Sequence, residues 1–140
     1  MPVEEPEGLR RILEYERVAV VGASTDYDKA AHIVPAYLQR HGYELSPVNP
    51  NADEVFGERA YDSLADVPGD VDVVQIFRPS EEVPGIVEQA LDREDVRAVW
   101  MQVGIRNDAA ARDAERAGLD VVQDRCMKVE HGLLVRNPMD

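Results

Sequence analysis

The sequence is short of cysteine and of lysine: Cys126 is the only thiol, and Lys29 and Lys128 are the only lysines, among 140 residues. A single cysteine closes no internal disulfide and cannot furnish a cysteine-rich zinc site. Long apolar runs are missing too. The longest, residues 18–21 and 98–101, fall far short of the ~20 residues that span a bilayer, so no membrane partner is expected. The opening stretch Met1-Pro2-Val3-Glu4-Glu5 is acidic and has no apolar core, unlike a secretory signal; the expected location is the cytoplasm. Bases are outnumbered, with 15 Lys and Arg against 28 Asp and Glu and a net charge of −13. That balance excludes nucleic-acid binding through a general basic surface. The acids are spread along the chain, and arginine far exceeds lysine. This is the pattern of an acidic, halophile-type proteome, in which carboxylates keep the surface hydrated and molar salt screens their repulsion within about 3 Å.

What is present is a regular alternation of strand and helix patterns. Apolar residues make up 44% of the chain, enough for one core in a single domain over residues 1–140. Residues 7–15 read as a short amphipathic helix with Pro6 at its start and Leu9, Ile12 and Leu13 on one side. Residues 17–21 read as a buried strand ending at Gly22. After a polar loop comes a helix carrying Ile33, Val34, Tyr37 and Leu38; Pro35 should fall in its first turn and Gly42 should stop it. A second strand covers residues 43–48. The stretch 54–70 is irregular, with a small extended excursion near Val55 and Tyr61 and one helical turn after Ser63. Residues 71–77 form the third strand. Ser80 should cap the next helix, whose apolar positions Val83, Ile86, Val87, Ala90 and Leu91 follow the spacing of a helix lying on a sheet. Residues 96–103 form the fourth strand, Asn107 caps an alanine-faced helix ended by Gly118, and residues 119–122 form the fifth strand. The remainder reads as a tail. These patterns predict an α/β fold, a Rossmann-like, doubly wound parallel sheet of about five strands with helices on both faces.

Loops that can meet a ligand then lie at the carboxyl ends of the strands, and a crevice opens where strand order reverses beside the first strand. Gly22 permits a sharp turn there, and small Ala23 and Ser24 permit a phosphate to approach main-chain amides. A strand, a glycine turn and a helix do not by themselves choose between a phosphate loop and simple chain reversal. A nicotinamide dinucleotide site is disfavoured. The glycines of its fingerprint fall here on Gly22, Ser24 and Tyr27, and Asn49-Pro50 ends the second strand where an acid should grip the ribose.

Several phrases along the chain carry a resemblance: Val20-Val21-Gly22-Ala23-Ser24, Tyr37-Leu38 with His41-Gly42-Tyr43, Pro47-Val48-Asn49-Pro50, Glu54-Val55 with Gly57-Glu58, Tyr61 with Ser63-Leu64, Phe77-Arg78 with Glu81, Trp100-Met101-Gln102 with Gly104, and Asp124-Arg125-Cys126-Met127-Lys128 with Glu130-His131. In this combination the sequence resembles the small CoA-binding protein family, whose fold is similar to the CoA-binding domain of the succinyl-CoA synthetase alpha subunit. The resemblance implies coenzyme A, or an acyl-CoA, as the small-molecule ligand. It also implies that Gly22, Ala23 and Ser24 meet the pyrophosphate, Lys29 pairs with phosphate, Asn49 and Pro50 flank the nucleotide, Arg78 and Pro79 line the crevice, and Gln102 and Gly104 form its far side. It implies no defined reaction. In the loop 25–31 the sequence departs from the family, with Asp26, Tyr27, Asp28 and Lys29 where prolines and an arginine are common.

A polyphosphate ligand is repelled by a chain of charge −13, so local cations must dominate. Lys29, Arg78, Arg106, Arg125 and Lys128 fall at or beside strand ends, and charge-assisted hydrogen bonds contribute roughly 1.5–3 kcal/mol each. No convincing catalytic set is visible. Cys126 lies between Arg125 and Lys128, cations that favour thiolate, so thiol exchange with CoA stands as an alternative beside a nucleotide-dependent enzyme using the same crevice. Asp124, Cys126 and His131 do not make a zinc pattern, and no metal is expected. His32 reads as an exposed or capping residue, His41 as a favourable charge at a helix end, and Trp100 as core. The sequence leaves a homo-oligomer open.

Overall fold

β1 (Arg17–Val21) is buried on both faces apart from Arg17 and is paired in parallel with a strand on each side. It therefore sits inside the sheet. The computed structural model describes residues 1–135. The remaining main strands are β2 (Glu44–Val48), β5 (Val73–Ile76), β6 (Ala98–Met101) and β7 (Asp120–Val122). Their order is β2-β1-β5-β6-β7, all parallel. A second, two-stranded antiparallel piece, β3 (Glu54–Val55) and β4 (Glu58–Arg59), is the extended excursion after β2. Pro47 lies in β2, the edge strand, where a missing donor is tolerated.

Side chains alternate between two cores. Ala19, Val21, Val74, Ile76, Val99, Met101 and Val121 face α3 (Val83–Leu91) and α4 (Asp108–Arg116). Val18, Val20, Val73, Ala98, Trp100 and Val122 face α1 (Pro6–Leu13), α2 (Ala30–Arg40) and α5 (Met127–Leu134). The connections thus leave β1 and β5 toward opposite faces, and the point of reversal lies between those two strands, where a crevice must open. Among the described residues no helix is long and apolar enough to cross a membrane.

Glycine ends two helices as its positions predict. Gly42, at φ +92, donates to Gln39 O while Tyr43 N donates to Leu38 O; Gly118, at φ +94, repeats the arrangement with Glu115 and Ala114. Both are Schellman turns, which satisfy carbonyls the helix end leaves over. Asn107 caps α4, accepting from Ala110 N at 3.0 Å.

Three local expectations are corrected. Pro35 lies inside α2, not in its first turn, because the helix already begins at Ala30. Ser80 does not cap α3: a 3₁₀ turn, Ser80–Glu82, precedes the helix, and the Ser80 hydroxyl instead accepts from Arg106 N at 3.1 Å. The stretch after β7 is not a plain tail, since residues 127–134 form α5. Its first turn is tied to the sheet, with Met127 N donating to Gln102 Oε1 at 2.9 Å and Trp100 Nε1 donating to Arg125 O at 2.8 Å. Strands β5 and β6 are shorter than the runs 71–77 and 96–103 expected for them.

Candidate functional site

A cavity of about 530 Å³ opens at the carboxyl ends of β1, β2 and β5, over the point of reversal. The turn after β1 is built almost atom by atom from its surroundings. Gly22 has φ +92, and a Cβ there would stand 2.9 Å from Arg78 Cδ and 3.0 Å from Phe77 O. Only glycine lets the chain turn against β5 this closely. Gly22 N donates to Val48 O at 3.1 Å. The Asn49 side chain, at the end of β2, donates through Nδ2 to Ala23 O at 2.9 Å and accepts from Asn51 N at 2.8 Å. Ser24 N donates to Ala31 O at 3.2 Å, its hydroxyl accepts from Asp26 N at 3.0 Å, and its carbonyl lies 2.7 Å from His32 Nδ1. The N–H groups of Ala23 and Thr25 have no partner among the described residues; both residues line the cavity, as does Ala31 in the first turn of α2.

His32 corrects its sequence reading. Its ring is buried and packs between Tyr27 and Phe56, with centroids 4.3 Å and 5.0 Å away. It clamps Ser24 rather than facing solvent. Phe56, at φ +59 in the β3–β4 turn, also accepts from Gln39 Nε2 at 3.0 Å, so the small hairpin braces the loop from outside.

Of the residues singled out from the sequence, Gly22, Ala23, Ser24, Lys29, Asn49, Pro50 and Arg78 line this one cavity. Pro79, Gln102 and Gly104 do not. Gln102 is buried and spends its oxygen on Met127 N; Gly104 N donates to Asp124 Oδ1 at 2.6 Å. The sheet order explains the exclusion of Gln102 and Gly104, because β6, from which they follow, is separated from β1 by β5. The cavity's other wall was not legible as such: Asp62, Ser63 and Leu64 come from the irregular stretch, and Glu82, Ile86 and Gln89 from α3 and the turn before it.

The charges are arranged in pairs. Arg78 donates from Nη2 to Glu82 Oε2 at 2.8 Å and from Nε to Glu82 Oε1 at 3.2 Å. This hydrogen bond is the main reason the guanidinium is held above its ordinary value. Lys29 has no ion pair among the described residues. Cys126 lies outside the cavity. It lines a second one of about 390 Å³ with Val103, Arg106, Arg125, Val129 and Glu130. There Arg125 pairs with Glu130 at 3.3 Å; Lys128 lines neither cavity and sits over the Tyr37 ring at 5.4 Å. His131 Nδ1 lies 2.9 Å from the Tyr37 hydroxyl.

Comparison with known proteins bears on what such a cavity holds. Residues 16–132 match the CoA binding domain family. The chain belongs to this family. A relative of similar length is the uncharacterized protein YneT of Bacillus subtilis, 40% identical over 118 residues that make up 84% of this chain and 87% of that protein. Among solved structures, a hypothetical protein from Pyrococcus horikoshii OT3 superposes with a TM-score of 0.91 at 38% identity, over 97% of each chain. The ADP-forming acetate–CoA ligase II of Archaeoglobus fulgidus is 28% identical over 133 residues, 93% of this chain but 19% of the ligase. The chain therefore corresponds to about a fifth of that enzyme, in agreement with the resemblance read from the sequence.

Proposed function

We propose that this chain binds coenzyme A in the cavity between β1, β2 and β5, as a binding or sensing module. The observation that carries the reading is the turn after β1: the amides of Gly22 and Ser24 and the carbonyls of Ala23 and Ser24 are tied down, whereas the amides of Ala23 and Thr25 have no partner among the described residues, and both of these residues border a cavity of about 530 Å³. Fixed, unpartnered amides beside a helix start support a diphosphate site, since such N–H groups donate to anions. Membership of the CoA binding domain family supports CoA over other diphosphate ligands. Lys29 supplies a cation at the same loop. Leu64, Ile86, Phe77 and Pro50 supply an apolar lining for the uncharged parts of the ligand, and the volume lies in the range of small-molecule sites, roughly 300–1,000 Å³.

Binding to the folded state raises thermal stability by mass action. Thermal shift in molar salt with CoA, acetyl-CoA, NAD and ADP tests the reading. CoA is expected to raise the midpoint with saturation, and NAD to leave it unchanged. An equal response to NAD, or no response to CoA, overturns it.

A further inference from the structure

The cavity carries its own counter-anion. Glu82 and Arg78 both line it, joined through both carboxylate oxygens at 2.8 Å and 3.2 Å. The Arg78 and Glu82 side chains are 47% and 45% exposed, so water reaches the pair and breaking it costs little. The stem of Arg78 crosses Gly22, with Cδ 2.9 Å from the position of a Cβ there. This tethers the guanidinium beside the turn that holds the unpartnered amides of Ala23 and Thr25. Nη1 of Arg78 has no partner among the described residues, which leaves its donors uncommitted while Glu82 holds Nε and Nη2.

We propose that Glu82 is the competitor a ligand phosphate must displace: it holds Arg78 in the free protein, yields it when phosphate occupies the turn, and thereby sets the affinity for phosphate-bearing ligands. This rests on the reading of the cavity as a CoA site. A phosphate oxygen accepts from an arginine fork as a carboxylate does and brings more charge, so the exchange is a swap of one charge-assisted pair for another. The gain from Arg78 is only the difference between them. Glu81 provides an internal control. It belongs to the same 3₁₀ turn, carries the same charge, does not line the cavity, and has no ion pair among the described residues.

The test is calorimetric titration of CoA, ADP and adenosine into the wild type, Glu82→Gln, Glu81→Gln, Arg78→Ala and the Arg78→Ala/Glu82→Gln double variant, each checked for an unchanged unfolding transition. Glu82→Gln is expected to bind CoA and ADP about two- to fivefold more tightly, the scale of an exposed ion pair. Adenosine binding stays unchanged, and the gain disappears when Arg78 is already alanine. Glu81→Gln should resemble the wild type. A Glu82→Gln protein that binds CoA no better than the wild type overturns the proposal and leaves the CoA reading standing. So does a gain that persists without Arg78 or is matched by Glu81→Gln, since that is a general charge effect. Failure of every variant, wild type included, to bind CoA overturns the CoA reading itself and this inference with it.

Discussion

Ser24 N donates to the carbonyl oxygen of Ala31 at 3.2 Å, and Ala31 is the residue four before Pro35, inside α2. A helix normally uses that carbonyl to accept from the residue four later. Proline has no N–H to give, and its ring tilts the carbonyl outward. The interior proline thus costs the helix one bond and hands the freed acceptor to the turn after β1. The irregularity in α2 and the order in the turn are one feature.

Pro35→Ala should therefore loosen the turn. The new N–H competes for Ala31 O, the Ser24 amide loses its fixed partner, and hydrogen exchange in the peptide spanning residues 22–28 should quicken. Overall stability should move by no more than about 1 kcal/mol, because a regained helical bond offsets lost ring contacts. Exchange measured by mass spectrometry checks this. Unchanged protection at Ser24 in a folded variant rules out the link.

Gly22 and Gly118 have nearly the same backbone angle, φ +92 and +94, but a Cβ at Gly22 meets Arg78 and Phe77 while one at Gly118 meets nothing within 4 Å. Gly118→Ala should cost only the backbone term, about 1 kcal/mol. Gly22→Ala should cost about 1–2 kcal/mol more, because Phe77 O is main chain and cannot swing aside. Urea unfolding of the two variants measures the difference. Equal losses would show that packing against β5 contributes nothing.

Legibility of the site followed the range of the interactions. The order of strands and helices was readable because each element carries its own periodicity, and helix stops at Gly42 and Gly118 are local chemistry. The turn Gly22-Ala23-Ser24 was readable for the same reason. Gln102 and Gly104 were expected at the far side of the crevice, but sequence gives no sheet order, and β5 intervenes. α5 went unread because it has only two buried residues, Met127 and His131, and includes Gly132; it is held by contacts distant in sequence, on Trp100 and Gln102 and on residues of α1 and α2. The Arg78–Glu82 pair did leave a signal, opposite charges four apart.

Gln75 lies in β5 with no exposure, its Nε2 3.4 Å from Gln102 Oε1 and its Oε1 without a partner among the described residues. A buried acceptor left unpaired costs about 1–3 kcal/mol. Gln102 Oε1 keeps the Met127 amide in any case. Gln75→Met, similar in shape and without polar atoms, should therefore stabilise the protein by about 1 kcal/mol. Loss of stability would mean that the amide has a partner, such as a bound water, that matters more than its burial.

Arg93 and Asp95 hold the wall of the cavity from outside. Arg93 donates to Leu64 O, Val67 O and Gly69 O at 2.9–3.0 Å, and to both Asp95 oxygens at 2.8 Å and 3.1 Å. Asp95 also accepts from Val71 N at 2.8 Å. The Arg93 hydrogen bond, aided by that amide, holds the Asp95 carboxyl below its ordinary range. A folded-state value below the unfolded one stabilises at pH above the unfolded value, about 4 for an aspartate, and the contribution disappears as pH falls through the folded value. Asp95→Asn leaves Arg93, with a side chain only 13% exposed, without its counter-ion. It should cost about 1–3 kcal/mol at pH 7. The gap from wild type should hold steady down to about pH 5 and narrow below about pH 4. Unfolding by urea at pH 7, 5 and 3.5 reads this directly, and a gap as wide at the lowest pH as at the highest contradicts it. Because Leu64 lines the cavity, the same variant should also weaken CoA binding at neutral pH, whereas Arg116→Ala, which breaks an exposed pair on α4 with Asp113, should change neither stability nor binding measurably.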